Sequence, residues 1–182
     1  MNRYTILIKN LLNKSPSKRN EQIIMNFSRE YNIPIDIVMS IYSIETTFRP
    51  NWFRLIEYLS LFKNILLRVI GIRKTLSNIT IGKFQIGLGV IRQFTTGNVD
   101  SHERQLKLNK TEIFRLLSFC FGNKYYMVSV WWINLIHLEA MCLIKNENRS
   151  IRYIGTKYNG DISYGYLLED LVKSRKISLY IS

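Results

Sequence analysis

A mainly α-helical fold is what this chain of 182 residues predicts, and three observations predict it. Apolar residues recur at three- and four-residue spacing along most of the chain, the signature of helices with one buried face. Only nine glycines and three prolines interrupt that spacing. No stretch reads as a set of paired strands.

The elements follow in order. A short N-terminal helix precedes a polar, basic linker over 14–19, punctuated by Ser and Pro. Ile23, Ile24, Phe27 and Tyr31 then recur at helical spacing. Pro34 suits a first helical turn, and Asp36 behind it complements the helix dipole. The stripe Val38, Ile41, Tyr42 and Glu45 lies on one side of that helix, and Pro50 stops it. Residues 51–74 form a second long amphipathic pattern, with Trp52, Leu55, Ile56, Leu59, Phe62, Leu66 and Val69 as its apolar side and Gly71 near its end. Leu76 to Gly89 breaks the helical period. Asn109 with Glu112 forms a capping box that opens a helix over 110–121, and Gly122 stops it.

The window 125–144 has the roughly 20-residue length of a membrane span. Asn134, His137 and Glu139 would be expensive in lipid, so it is expected to be a central core helix. A shorter helix over 150–158 ends at Asn159-Gly160, and Ser163 caps a last helix through Lys173. There is no internal repeat and no sign of a second domain. The expected organisation is an N-terminal extension over 1–19 and one domain over 20–182, with the amphipathic helix 51–74 inserted.

Composition bounds the function. A 21.6 kDa chain with 47% hydrophobic and 21% charged residues can build a core without disulfides or metals. Whole-chain disorder, collagen-like structure and low-complexity polymer are excluded. The two cysteines, Cys120 and Cys142, sit in apolar stretches and read as buried free thiols. With only His102 and His137 besides, neither a metal site nor a cofactor is expected. Lys9 interrupts the apolar run after Met1, so no secretory signal is read there. The net charge of +13 favours a polyanionic partner: nucleic acid, anionic lipid or an anionic wall polymer. Helix-turn-helix, RNP-type and zinc-finger signatures are all missing. Gly82, Gly87 and Gly89 do not form a dinucleotide fingerprint, because position 92 is Arg. A nucleic-acid partner is therefore not expected.

Glu45 is the residue that points to chemistry. It falls near the end of a strongly apolar helix, on or beside the stripe that faces the core. A carboxylate there pays a desolvation cost that favours its protonated form, the state a general acid needs. An ion pair with Lys or Arg is the alternative role for an isolated Glu.

Three segments accompany it in order: Ile44-Glu45-Thr46-Thr47-Phe48-Arg49-Pro50, then Thr80-Ile81-Gly82-Lys83-Phe84-Gln85-Ile86-Gly87, then Lys157-Tyr158-Asn159-Gly160. Together they resemble the motifs of the lytic transglycosylases with a lysozyme-like fold, over roughly residues 20–173. That family shows Glu-Ser-x-Phe-x-Pro, Gly-Leu-Met-Gln-Ile and Ala-Tyr-Asn-Ala-Gly. Here Thr46 replaces the Ser, Lys83-Phe84 replaces Leu-Met, and the alanines around Tyr-Asn are missing. The long separation from Glu45 to Gln85 is filled by 51–74.

The resemblance implies a lysozyme-like single domain with a central apolar helix and a substrate groove. It implies Glu45 as acid and then base, with Thr46 bonding near the reacting sugar. Gln85 would lie on the cleft wall, Tyr158 near the Glu45 carboxyl, and Asn159 against the loop or a sugar. The implied substrate is peptidoglycan, cleaved to 1,6-anhydro ends by a monomer acting at the cell envelope or outside it. Hydrolysis by a second carboxylate, Glu57, Asp100 or Glu103, is the alternative chemistry. A non-catalytic basic protein binding wall or nucleic acid is the alternative class. The basic residues Arg54, Lys63, Arg68, Arg73 and Lys74 leave two roles for 51–74, a helix packed beside the groove or one lying on a membrane surface.

Overall fold

A computed structural model of the protein describes residues 3–49, 51–97 and 103–181; Pro50, Asp100 and His102 lie outside them. In chain order the helices are α1 (Arg3–Leu12), α2 (Lys18–Glu30), α3 (Ile35–Phe48), α4 (Asn51–Val69), α5 (Leu88–Thr96), α6 (Lys110–Phe119), α7 (Gly122–Leu143), α8 (Glu147–Asn159) and α9 (Ile162–Ile181). Four two-residue strands complete the described elements: β1 (Leu76–Ser77), β2 (Thr80–Ile81), β3 (Ile86–Gly87) and β4 (Gln105–Leu106). The fold is mainly α. It divides into two compact units, one of Met1–Phe48 with Ser129–Ser182 and one of Arg49–Val128, so the division falls inside α7.

The first unit is built around α3. Nine consecutive residues, Ile37–Glu45, are buried, so this helix has no solvent face along its centre. α1, α2 and α9 pack against it. Its buried hydroxyls need partners, and Arg175 of α9 donates to Ser40 Oγ at 3.2 Å and to Ser43 Oγ at 2.7 Å. Ser43 in turn donates to the Lys14 carbonyl at 2.7 Å. Helix α1, within the segment read as an extension, is part of this packing. Leu11 is fully buried, and the Tyr4 hydroxyl donates to Asp170 of α9 at 2.6 Å.

Helices α8 and α9 approach closely because two glycines face each other. A methyl on Gly155 would meet the Gly165 Cα at 2.8 Å, and one on Gly165 would meet the Arg152 carbonyl and Thr156 Oγ1 at 2.4 Å. Across the same seam Glu169, almost fully buried, binds Arg152 at 2.8 Å and Lys173 at 2.7 Å. The turn between the helices uses Gly160 at φ +85°. The cap of α9 is Asp161, whose carboxylate accepts from the Ser163 amide at 2.8 Å, rather than Ser163 itself.

Helix α7 differs from the expected central core helix. Asn134 is buried, but Leu138, Met141 and Leu143 are about half exposed or more. Glu139 is half-buried and pairs with Tyr153 at 2.6 Å and Lys157 at 3.1 Å. The helix fully enclosed by neighbours is α3. Cys142 shares the exposed end of α7 and is therefore not a buried thiol; Cys120 is, and burial pushes it up to about 12.

In the second unit β1 pairs with β4, with Leu76 opposite Leu106, and β2 pairs with β3, with Thr80 opposite Gly87. Of the segment 76–89, where helical period fails in the sequence, 76–87 is short ladder and turn, while Leu88 and Gly89 already begin α5. The Asn109–Glu112 capping box opens α6.

Helix α4 has an inverted orientation. Its buried residues are Arg54, Glu57, Leu61 and Asn64. Its apolar side, Trp52, Leu55, Ile56, Leu59, Phe62, Leu66 and Val69, is 44–63% exposed. Most of the inward side chains make at least one bond within the unit, although some guanidinium nitrogens of Arg54 and Arg68 are buried without one among the described residues. Asn64 donates to the Ser60 carbonyl at 2.8 Å and accepts from Arg73, and Arg68 donates to the Leu108 carbonyl at 2.8 Å.

Two outcomes follow. Gly165→Ala should lower stability by about 1–3 kcal/mol, because the methyl meets backbone that cannot move aside. Urea denaturation measures it, and an unchanged midpoint would show that the seam can open freely. Burial alone raises the Glu169 carboxyl, but the bonds from Lys173 and Arg152 outweigh it and hold it below the ordinary carboxylate value. A depressed folded value means stability that is present above the unfolded value and lost as pH falls through the folded one. The stability difference between wild type and Glu169→Gln should therefore shrink as pH falls from about 7 to about 3. A difference constant with pH would contradict the ion pairing.

Candidate active site

Glu45 sits in the last turn of α3 and is 4% exposed. The apolar stripe that carries it, Val38, Ile41 and Tyr42, is buried with it, so the carboxyl group has little access to water. Carbonyls rather than amides end the helix on that side, which leaves a negative carboxylate without help from the dipole. Thr46 follows, half-buried. Its hydroxyl donates back to the Tyr42 carbonyl at 2.7 Å and approaches the Ser43 carbonyl at 3.3 Å. The hydroxyl proton is thus held by the helix, and the oxygen keeps a lone pair for a further donor.

Tyr158 and Asn159 end α8. Tyr158 is half-buried and stacks on Tyr164 of α9, with ring centroids 6.1 Å apart and planes 30° from parallel. Asn159 is exposed, immediately before the left-handed Gly160. Glu45, Thr46, Tyr158 and Asn159 all belong to the first unit, and α9 packs against both α3 and α8. The glycine seam fixes where Tyr158 stands by setting the separation of α8 from α9.

Gln85 belongs to the second unit, in the four-residue turn 82–85 between β2 and β3. It adopts φ +52°, unusual for a residue with a side chain, and Gly82 adopts φ +73°. The turn is held from inside by Tyr125. Its hydroxyl accepts from the Phe84 amide at 2.8 Å and donates to the Ile81 carbonyl at 2.9 Å. A methyl on Gly82 would lie 2.4 Å from the Tyr125 ring, so only glycine fits beneath the turn. The Gln85 amide is saturated. Its oxygen accepts from Arg49 and from Thr80 Oγ1 at 3.0 Å, and its nitrogen donates to Glu57 at 3.2 Å and to the Gly82 carbonyl at 2.8 Å.

Arg49 and Glu57 complete this network with an ion pair at 3.2 Å. Together with Phe53, Ser60, Asn78 and Thr80 they line a cavity of about 450 Å³ within the second unit. That volume lies in the range of small-ligand sites, about 300–1,000 Å³. Ile56 and Ile79 line it too, so three apolar side chains face several donors and acceptors, a lining that suits a ligand with one apolar and one polar face. Arg49 and Tyr125 are functional candidates that sequence reasoning passed over. Arg49 stood inside the Glu45 segment, four residues from the acid, and that was its only signal.

The alternative carboxylates are engaged. Glu57 is bound by Arg49 and Gln85, and Glu103 pairs with Arg92 at 3.3 Å; Asp100 lies outside the described residues. Among the described residues no group of three His, Cys, Asp or Glu side chains could hold a metal ion.

Tyr125→Phe removes one hydroxyl that serves a buried amide and a carbonyl. The loss should be about 1–3 kcal/mol, because the amide is left unsatisfied. Hydrogen exchange at the Phe84 amide should accelerate with it, and unaltered protection there would remove Tyr125 as the support of the turn. Comparison of the chain with protein-family models, with curated proteins and with solved structures finds no match.

Proposed function

We propose that this protein is a peptidoglycan lytic transglycosylase of lysozyme-like type, with Glu45 as its catalytic acid and base. The observation that carries the reading is Glu45 itself, a carboxyl group almost excluded from water in the last turn of an enclosed helix. The ordered resemblance of the Glu45, Gln85 and Tyr158 segments to that family supports it.

The chemistry suits one carboxyl group. Ordinary glycosidases use a pair, about 5–5.5 Å apart for retention or about 6.5–9.5 Å for inversion. In peptidoglycan the substrate supplies the second partner. Glu45 gives its proton to the oxygen linking C1 of N-acetylmuramic acid to N-acetylglucosamine, and the C1–O bond breaks. The N-acetyl carbonyl of the muramic residue stabilises C1. The 6-hydroxyl of the same sugar then attacks C1 and returns its proton to Glu45. The product carries a 1,6-anhydro ring, no water is consumed, and Glu45 ends protonated as it began. Tyr158 orients, and Thr46 and Asn159 contact the sugar or its loop. Gln85, saturated by Arg49, Glu57 and Thr80, holds the shape of the second unit's hairpin wall.

Glu45→Gln keeps the size of the side chain and removes the proton. It should lower turnover of purified peptidoglycan by about 10²–10⁴-fold or more. Tyr158→Phe should cost less. Mass spectrometry of the released muropeptides reads the route. Ends one water lighter than reducing ends indicate transglycosylation, whereas incorporation of labelled oxygen from solvent would establish a hydrolase. A fully active Glu45→Gln variant would take Glu45 out of the mechanism.

A further inference from the structure

Within the second unit, helix α4 carries an apolar face that the described residues leave largely exposed, apart from Phe121 stacked on Phe62. Trp52, Leu55, Leu59, Phe62, Leu66 and Val69 alternate three- and four-residue steps along it, and each is 44–63% exposed. Ile56 widens the stripe and Ile70, just past the helix, lengthens it, both more than half exposed. From Val69 round to Ile56 it spans about 140° of the helix at 100° per residue. Nineteen residues make it about 28 Å long. Soluble monomers scatter exposed apolar residues singly and seldom gather them into one patch of this extent. The opposite side is locked inward by the bonds of Arg54, Glu57, Asn64 and Arg68, so the helix cannot roll to hide its apolar face without breaking them.

Charge identifies the occupant. The second unit carries thirteen Lys and Arg against four Asp and Glu, so nine of the chain's thirteen net positive charges lie in its 80 residues. Lys63 stands within the stripe and Lys74 follows it, both exposed. A second copy laid on this face would bring two such units together against their repulsion. The stripe is also wider than the narrow seam of a two-helix coiled coil. A bilayer with anionic headgroups offers an apolar layer for Trp52, Leu59 and Leu66 and countercharge for the lysines. The long lysine stems allow their ammonium groups to reach headgroup level.

We propose that α4 is an interfacial anchor, lying in the plane of an anionic lipid surface with its Trp52–Val69 stripe in the acyl boundary. This is independent of the cleavage reading. It makes the second unit the part of the protein that holds it at a membrane, whatever the first unit does.

The test uses the full chain and phosphatidylcholine vesicles with and without phosphatidylglycerol. The protein should float with the anionic vesicles and bind neutral ones far less. Leu59→Gln with Leu66→Gln should weaken binding by about tenfold or more, since each Leu loses the gain of leaving water. Their thermal midpoint should hold, because both side chains are exposed in the folded chain. With Trp131 and Trp132 replaced by Phe, Trp52 fluorescence should shift to the blue on binding and be quenched by brominated acyl chains. If that variant does not fold, flotation of the Leu pair decides alone. Three results would overturn the proposal. One is no flotation with anionic vesicles. Another is equal binding by the Leu59/Leu66 variant, which would mean attraction by charge only. The last is lipid-independent self-association in ultracentrifugation that the same substitutions abolish, which would assign the face to a second copy.

Discussion

Enclosure of α3 on every side is the constraint on which the first unit depends. A helix with nine consecutive buried residues needs neighbours all round; α1 and α2 from just before it and α9 from the far end of the described chain meet that need. It also needs an answer to its own polarity. Ser40 and Ser43 would each lose hydration on burial, and Arg175 supplies both with a donor. Arg175 is half-buried, and that burial lowers the proton affinity of its guanidinium. The same enclosure keeps Glu45 largely out of contact with water. One packing decision therefore serves both the core and the residue to which chemistry is assigned.

The second unit follows a different logic. α4 turns its polar residues inward, and Arg49, Gln85, Arg73 and the Leu108 carbonyl bond to them. Such networks specify one geometry while adding little net stability, because each bond replaces one to water. Their geometric precision is visible in the hairpin. Gln85 accepts a left-handed backbone where its amide can reach Glu57 and Thr80, and Gly82 leaves room for the ring that supports the turn. The cost of the arrangement is an apolar face left outside, and that cost becomes useful at a surface that wants apolar side chains.

The candidate site was only partly legible in the sequence. Glu45 stood out because a carboxylate on an apolar stripe is energetically unusual, and periodicity alone shows that. Gln85 stood out only through the order of its motif. Its partners Glu57 and Arg49 could not be found from spacing, since a hydrogen bond across 28 or 36 residues leaves no periodic trace. Tyr125 was hidden for the same reason. Its hydroxyl acts 41 residues away, while its ring looks like any core aromatic.

The sequence by itself determined the helical class, the capping box of α6, the break beginning at Leu76 and the left-handed stop at Gly160. These depend on near neighbours along the chain, whose spacing is set by backbone geometry. Tertiary structure alone decided which way the faces point. An amphipathic period states that a helix has two sides, and it is symmetric with respect to which side is covered. For α3 the neighbours enclose both sides. For α4 the arginines, carboxylate and amides around it made the polar side the inner one, because paired polar groups tolerate burial that unpaired ones do not. For α7 the exposed end followed from where Lys157 and Tyr153 met Glu139. Direction of burial is a property of partners, and partners are chosen only when the chain has folded.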